Sequence, residues 1–188
     1  IAALRPVGET PENGPRIDLQ DRFVSPGLID AHMHVLAGGA SMMQVDLSGA
    51  DSREAFEAVL ETAHRELPRG QWLIAGGWSE NRWDPPVLPD HSWLRVCGER
   101  PVVCWRMDLH AAVVNPAVLD ALSLPEDAEV EAAGGRVVRH PDGAPTGLLQ
   151  EAAAWHYLNP HIPPLGEDDR ARGLAKAHRW CAQLGLTS

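Results

Sequence analysis

The chain has 188 residues, 44% hydrophobic and 22% charged, a globular composition long enough to bury a core. Lys and Arg number 16 against 26 Asp and Glu, a formal net charge of -10. That excludes a phosphate-tracking basic surface and argues against docking on nucleic acid or an anionic membrane.

Residues 1–22 are punctuated by Gly and Pro around one short alternating run, Arg16-Ile17-Asp18-Leu19, which predicts strands of a small β-unit. The opening residues carry no signal-peptide pattern. Leu28-Ile29-Asp30-Ala31-His32 is a short apolar run suited to a buried strand. The segment 25–45 is the nearest to a membrane span, but it carries Asp30 and two histidines and falls short of one. Gly38-Gly39 reads as loop. The spacing predicts a helix over 51–67, capped by Asp51 with Glu54 three residues on, its face formed by Phe56, Val59, Leu60, Ala63 and Leu67.

Residues 72–78 and 101–105 read as strands, separated by a Pro-rich loop around Asp84-Pro85-Pro86. Asn115-Pro116 opens a short helix to about Leu122. Residues 136–149 predict a hairpin turning at Pro141-Asp142-Gly143, followed by a short helix over 148–157. A last helix covers 167–184 with Ala171, Leu174, Ala175, His178 and Cys181 on its buried stripe. Strands alternating with helices predict an α/β protein with parallel pairing, the hairpin being an insertion. A closed (β/α)8 barrel needs about 250 residues, more than this chain has. Three scattered cysteines make neither a disulfide framework nor a Cys-x-x-Cys zinc site, and a reducing cytoplasm is expected.

The chemistry concentrates in Pro26-Gly27-Leu28-Ile29-Asp30-Ala31-His32-Met33-His34. On a strand, residues i and i+2 share a face, so His32 and His34 aim two imidazoles at one point. Neutral imidazole suits zinc and similar divalent ions, which need three or four ligands in all. With nine histidines a His-x-His pair arises by chance about 0.4 times in such a chain, so the strand leading into it carries the weight.

That string resembles the first barrel strand of the amidohydrolase superfamily of metal-dependent hydrolases. Gly77-Trp78-Ser79-Glu80-Asn81-Arg82-Trp83, Arg100-Pro101-Val102-Val103, Asp108-Leu109-His110-Ala111-Ala112-Val113-Val114-Asn115 and Asp142-Gly143-Ala144-Pro145-Thr146-Gly147-Leu148-Leu149 resemble, in order, amidohydrolase family 3. This is the YtcJ-like branch related to N-substituted formamide deformylase. The resemblance implies an N-terminal portion of a longer chain. Residues 1–24 would be part of a β-sandwich, and 25–188 the first part of a (β/α)8 TIM-like barrel with an insertion at about 124–165. It implies that His32 and His34 bind a divalent metal, Zn²⁺ being expected. The other ligands and the aspartate that acts as base would lie on later strands, so no catalytic base is identified here. Metal-activated water would then hydrolyse a non-peptide C–N bond of a small molecule. The first-strand motif is equally compatible with a deaminase, an esterase, or a partial domain that is inert by itself. The family's usual glycine is replaced by Leu109, which either reshapes the pocket or strains the turn.

Asp108 and His110 fall just past a strand end, where either a substrate contact or a hydrogen bond within the turn fits; His110 is also weighed as a direct ligand. Trp78 and Asn81, with Arg82 and Trp83, follow the second strand as pocket wall or, alternatively, as core and surface ion pair. Glu151 reads as a surface or capping group rather than a metal carboxylate. His64 and His178 read as structural, Cys104 as a buried small hydrophobe. His91, His140, His156 and His161 are assigned nothing. Seven tryptophans against one tyrosine suggest large apolar walls that ordinary packing also explains.

Overall fold

The structure is a computed structural model that describes residues 17, 19, 20 and 22–188. Most of the expected β-sandwich segment, 1–24, therefore lies outside the described residues. Six strands form one mixed sheet in the order β1-β2-β3-β4-β6-β5. They are β1 Val45–Asp46, β2 Leu73–Trp78, β3 Val102–Arg106, β4 Ala111–Val114, β5 Gly135–Arg139 and β6 Pro145–Glu151. β1, β2 and β3 are parallel; β4, β5 and β6 join antiparallel. The predicted hairpin is present as β5 and β6, and it continues the main sheet through β4.

Both faces of the sheet are covered, and for that reason the central strands are apolar without alternation. Val102, Cys104, Ala111 and Val113 pack with Phe56, Leu60, Trp78, Trp83 and Trp93 on one side. Val103, Trp105, Ala112 and Val114 pack with Val118, Val130, Leu149 and Leu158 on the other. The period of two along β3 and β4 assigns each residue its face.

The helices are α1 Val35–Ser41, α2 Arg53–Glu66, α3 Pro116–Leu119, α4 Asp127–Ala132 and α5 Glu167–Gln183. In α2 the predicted apolar face is buried through Phe56 and Leu60, but the cap is Ser52, whose side chain accepts from Ala55 N at 3.2 Å, not Asp51. Arg100 gathers carbonyls at the end of the helix and just past it, donating to those of His64, Leu67, Pro68 and Gln71 at 3.4, 3.0, 2.9 and 2.6 Å. The first two lie where a helix leaves carbonyls without an internal partner. His64 takes part as expected of a structural residue, facing Arg100 Nε at 3.0 Å.

Several local expectations are corrected. Gly38-Gly39 lies inside α1, because Gly39 lets the helix backbone approach α5. The Pro-rich loop contains a 3-10 turn, His91–Cys97, capped by Asp90. Asn115 is the N-cap residue of α3 with Pro116 following as expected, but its side chain makes no bond to the helix. It is buried, and it accepts from Val102 N at 3.1 Å and donates to Arg100 O at 2.8 Å. The expected helix over 148–157 is strand to Glu151 and then a π-helical turn, Ala153–Leu158. α5 buries Gly173 and Ala177, so Ala171, Ala175 and His178 face outward.

The run 28–32 is not a buried ladder strand. Leu28 forms a single parallel bridge to Leu186, with Leu28 N bonded to Gly185 O and Asp30 N to Ser188 O, each at 2.8 Å. With one flank partnered among the described residues, its apolar side chains stay open: Ile29 is 77% exposed. Phe23, Leu36 and Trp180 are exposed too. No helix among the described residues is long and apolar enough to cross a membrane.

Candidate metal and substrate site

The parallel strands end at one cavity of about 600 Å³. Asp46 closes β1, Gly76 and Gly77 lie near the end of β2, Arg106 closes β3, and all four line it together with His34, Gln44, Leu109 and Lys176. Carboxyl ends of parallel strands are the common location of ligand sites in α/β folds, since the sheet there presents side chains from several strands to one space. The register shifts between Gly76 and Trp78, and Gly77 has φ 95°. A side chain at Gly77 would be strained and would press on Ser48 at 3.3 Å, so the bulge holds the strand end open.

His34 is the residue before α1, and its neighbour His32 is tied by its own N–H to Asp30 Oδ1 at 3.0 Å. The two rings converge: Nε2 of His32 and Nε2 of His34 are 3.2 Å apart, with ring centroids at 5.0 Å and planes at 79°. Both side chains are exposed. Either one ring donates to the other or both lone pairs address a shared cation. Two nitrogens bound tetrahedrally at the 2.0–2.1 Å typical of zinc stand about 3.3–3.4 Å apart, close to the distance found. Among the described residues no group of three or more His, Cys, Asp or Glu could hold a metal ion; the pair offers two donors of the right kind and spacing.

Asp46 has its carboxyl held below the usual range by bonds from Ser48, its side chain and its N–H, with Arg82 and Lys176 adding to this against a smaller effect of burial. The cavity therefore keeps a fixed anion beside the Lys176 ammonium, which itself donates to Met42 O at 2.8 Å.

The expected substrate residues are distributed unevenly. Trp78 is fully buried, its Nε1 donating to Cys104 O at 2.7 Å and its ring stacked on Trp83 at 5.9 Å. The expected tryptophan walls are thus core for Trp78, Trp83 and Trp93. Asn81 is exposed in the turn Glu80–Arg82, and Arg82 reaches back to Ser48 O.

Asp108 and His110 belong to one polar network at the end of β3. Arg106 grips Asp108 through two bonds of 2.8 Å each, the planar fork matching the carboxylate. Arg106 also faces Glu80 at 3.4 Å. Burial would raise the Asp108 carboxyl, but the bonds from Arg106 and from His110 N hold it below its usual range. His110 Nδ1 lies 2.8 Å from Glu151 Oε2, and its ring meets the edge of Trp155 at 5.0 Å. Leu109, between them, has φ 64°, a strained conformation for a branched residue, and its side chain also lines the cavity. Sequence reasoning missed Arg106, and it read Glu151 as a surface or capping group without seeing its partner His110. The Arg-x-Asp spacing was a local signal for the first, while the partner of His110 is 41 residues away and left none.

The sequence profile of the amidohydrolase family matches residues 16–188. The chain is 34% identical over 176 residues to Protein LONG AFTER FAR-RED 3 of Arabidopsis thaliana, covering 92% of this chain and 29% of that protein. It is 33% identical over 172 residues to the putative amidohydrolase YtcJ of Bacillus subtilis, covering 91% and 32% respectively. Against N-substituted formamide deformylase of Arthrobacter pascens the identity is 32% over 142 residues, covering 73% of this chain and 26% of that one. The chain thus spans about a third or less of the length of these relatives. Among solved structures, an uncharacterized metal-dependent hydrolase from Pyrococcus horikoshii shares the fold over 87% of this chain and 30% of its own, with a TM-score of 0.57 and 24% identity.

Proposed function

The chain belongs to the amidohydrolase family, and from that premise we propose that it is part of a metal-dependent hydrolase acting on amide-type, non-peptide C–N bonds of small molecules. The observation that carries the reading is the 3.2 Å approach of the His32 and His34 Nε2 atoms beside the cavity. Imidazole nitrogens suit zinc, as they do copper, iron and nickel, and zinc is the ion proposed here. When bound, such an ion supplies Lewis-acid polarisation of a carbonyl and a lowered pKa for water. The residues of this chain do the rest that can be assigned: Asp30 orients the backbone at His32, the Arg106–Asp108 clamp shapes the rim, and the wall from Gly76 to Leu109 leaves room for substrate. The name of the Arthrobacter relative, a deformylase of N-substituted formamides, supports the choice of C–N bond.

The parallel bridge of Leu28 to Leu186 supports placing 28–30 and 186–188 on adjacent strands of a (β/α)8 barrel. The exposed Phe23, Ile29, Leu36 and Trp180 then face the space where further barrel elements pack. On this reading the segment inserted between the barrel strands is longer than 124–165 and includes the whole six-stranded sheet. Three free thiols accord with a cytoplasmic setting.

With two donors, the 188-residue chain binds zinc weakly and turns over no substrate. Calorimetric titration with Zn²⁺ tests the assignment. One weak site is expected, abolished in His32→Ala and in His34→Ala with circular dichroism unchanged. Unaltered zinc binding in either variant would refute it.

A further inference from the structure

We infer that His110 and Glu151 form a built hydrogen-bond acceptor for an N–H or O–H group of the substrate, with His110 Nε2 making the contact and Glu151 as its positioning residue. The inference rests on the hydrolase reading for the kind of substrate but not for the geometry.

Glu151 Oε2 lies 2.8 Å from His110 Nδ1. A carboxylate accepts and does not donate, so Nδ1 carries the hydrogen; with the ring in its neutral form, Nε2 then presents a bare lone pair. That atom has no hydrogen-bond partner among the described residues, and the side chain is 48% exposed. The ring is fixed from other directions as well. Trp155 meets it edge-on and ties the adjacent Leu109 carbonyl at 2.8 Å through its indole N–H. Glu151 N donates to His110 O, and His110 N donates to Asp108 Oδ1.

The backbone bears the mark of this construction. Leu109 and Glu151, at φ 64° and 52°, are two of three non-glycine residues with positive φ among the described residues. Such conformations persist only where the surroundings enforce them, and they gather at functional sites. Here they flank one imidazole–carboxylate pair, His110 following directly in the chain on Leu109, which lines the cavity. An amide substrate offers an acceptor and, when secondary, one N–H. A neutral imidazole held with its lone pair outward answers the N–H. A tertiary amide would leave that lone pair without a donor, which discriminates by the loss of one bond.

The test uses ¹⁵N-histidine labelled protein and two probes, N-butylformamide and N-butyl-N-methylformamide. Long-range ¹⁵N–¹H spectra are expected to show His110 as the Nδ1–H tautomer, shifting toward the common Nε2–H form in Glu151→Ala. Adding the secondary amide moves the Nε2 resonance in a saturable way; the methylated probe binds about tenfold more weakly, one hydrogen bond's worth. In His110→Ala the two probes bind alike. An Nε2–H tautomer in the native protein, or equal response to the two probes, would overturn the inference. Zinc binding left unaltered by His32→Ala while the Nε2 response persists would count against the hydrolase reading and sustain the acceptor.

Discussion

Gly39 of α1 and Gly173 of α5 meet backbone to backbone. A methyl built at Gly39 would lie 2.8 Å from the carbonyl carbon and oxygen of Gly173, and one at Gly173 would lie 2.6 Å from Gly39 O. α1 begins immediately after His34, so this contact seats the residue that addresses the cavity. Gly39→Ala and Gly173→Ala are each expected to destabilise by about 1–3 kcal/mol as the helices are pushed apart. Gly38→Ala, with open space at its Cβ, should be neutral or mildly stabilising. Urea unfolding of the three variants separates close approach from general loss of glycine.

Leu109 holds φ 64°, a conformation that costs a branched residue roughly 1 kcal/mol or more and glycine almost nothing. Leu109→Gly is therefore expected to raise the unfolding midpoint despite losing a half-exposed side chain. A fall in stability would mean that the Leu109 side chain contributes more by packing than its backbone strain removes.

Asn115 bonds Val102 N and Arg100 O from a buried position. Asn115→Leu keeps the volume but leaves those groups without a partner. Each such orphan costs about 1–3 kcal/mol, and a loss in that range is expected on denaturation. The same variant should also slacken the Arg100 cap on α2, read as faster amide exchange at residues 63–67.

Burial pushes the Cys97 thiol up to about 11, against a small opposing effect of Arg100, and pushes Cys104 well above its ordinary value. At pH 8 neither offers thiolate, whereas Cys181 is partly exposed beside Met33. Iodoacetamide should label Cys181 alone in the native protein and all three after unfolding, as mass spectrometry will report. Because the folded value is the higher one, the stability tied to a neutral Cys97 is present below pH 9 and is lost as pH rises toward 11.

Much of the scaffold was legible from short-range pattern. Phe56 and Leu60 announced α2 by helical spacing, and Val102 to Trp105 announced a strand covered on both faces. The pair His32 and His34 was legible too, because residues two apart in extended chain share a direction even where, as here, no full ladder forms around them. What stayed hidden was every relationship between residues distant in the chain. Gly38-Gly39 reads as loop until Gly173 arrives to pack on it. Trp78 reads as pocket wall until Cys104 O accepts its indole.

The amino-acid order by itself determined α2, the strands β2 and β3, the hairpin and the shared direction of two imidazoles, since those depend on local spacing and on apolar period. Only the tertiary structure decided that the hairpin joins the sheet, that Arg106 grips Asp108, and that Glu151 stands behind His110. Those pairings arise from packing the two sheet faces and from satisfying polar groups across many residues of chain, neither of which leaves a signature in any one segment.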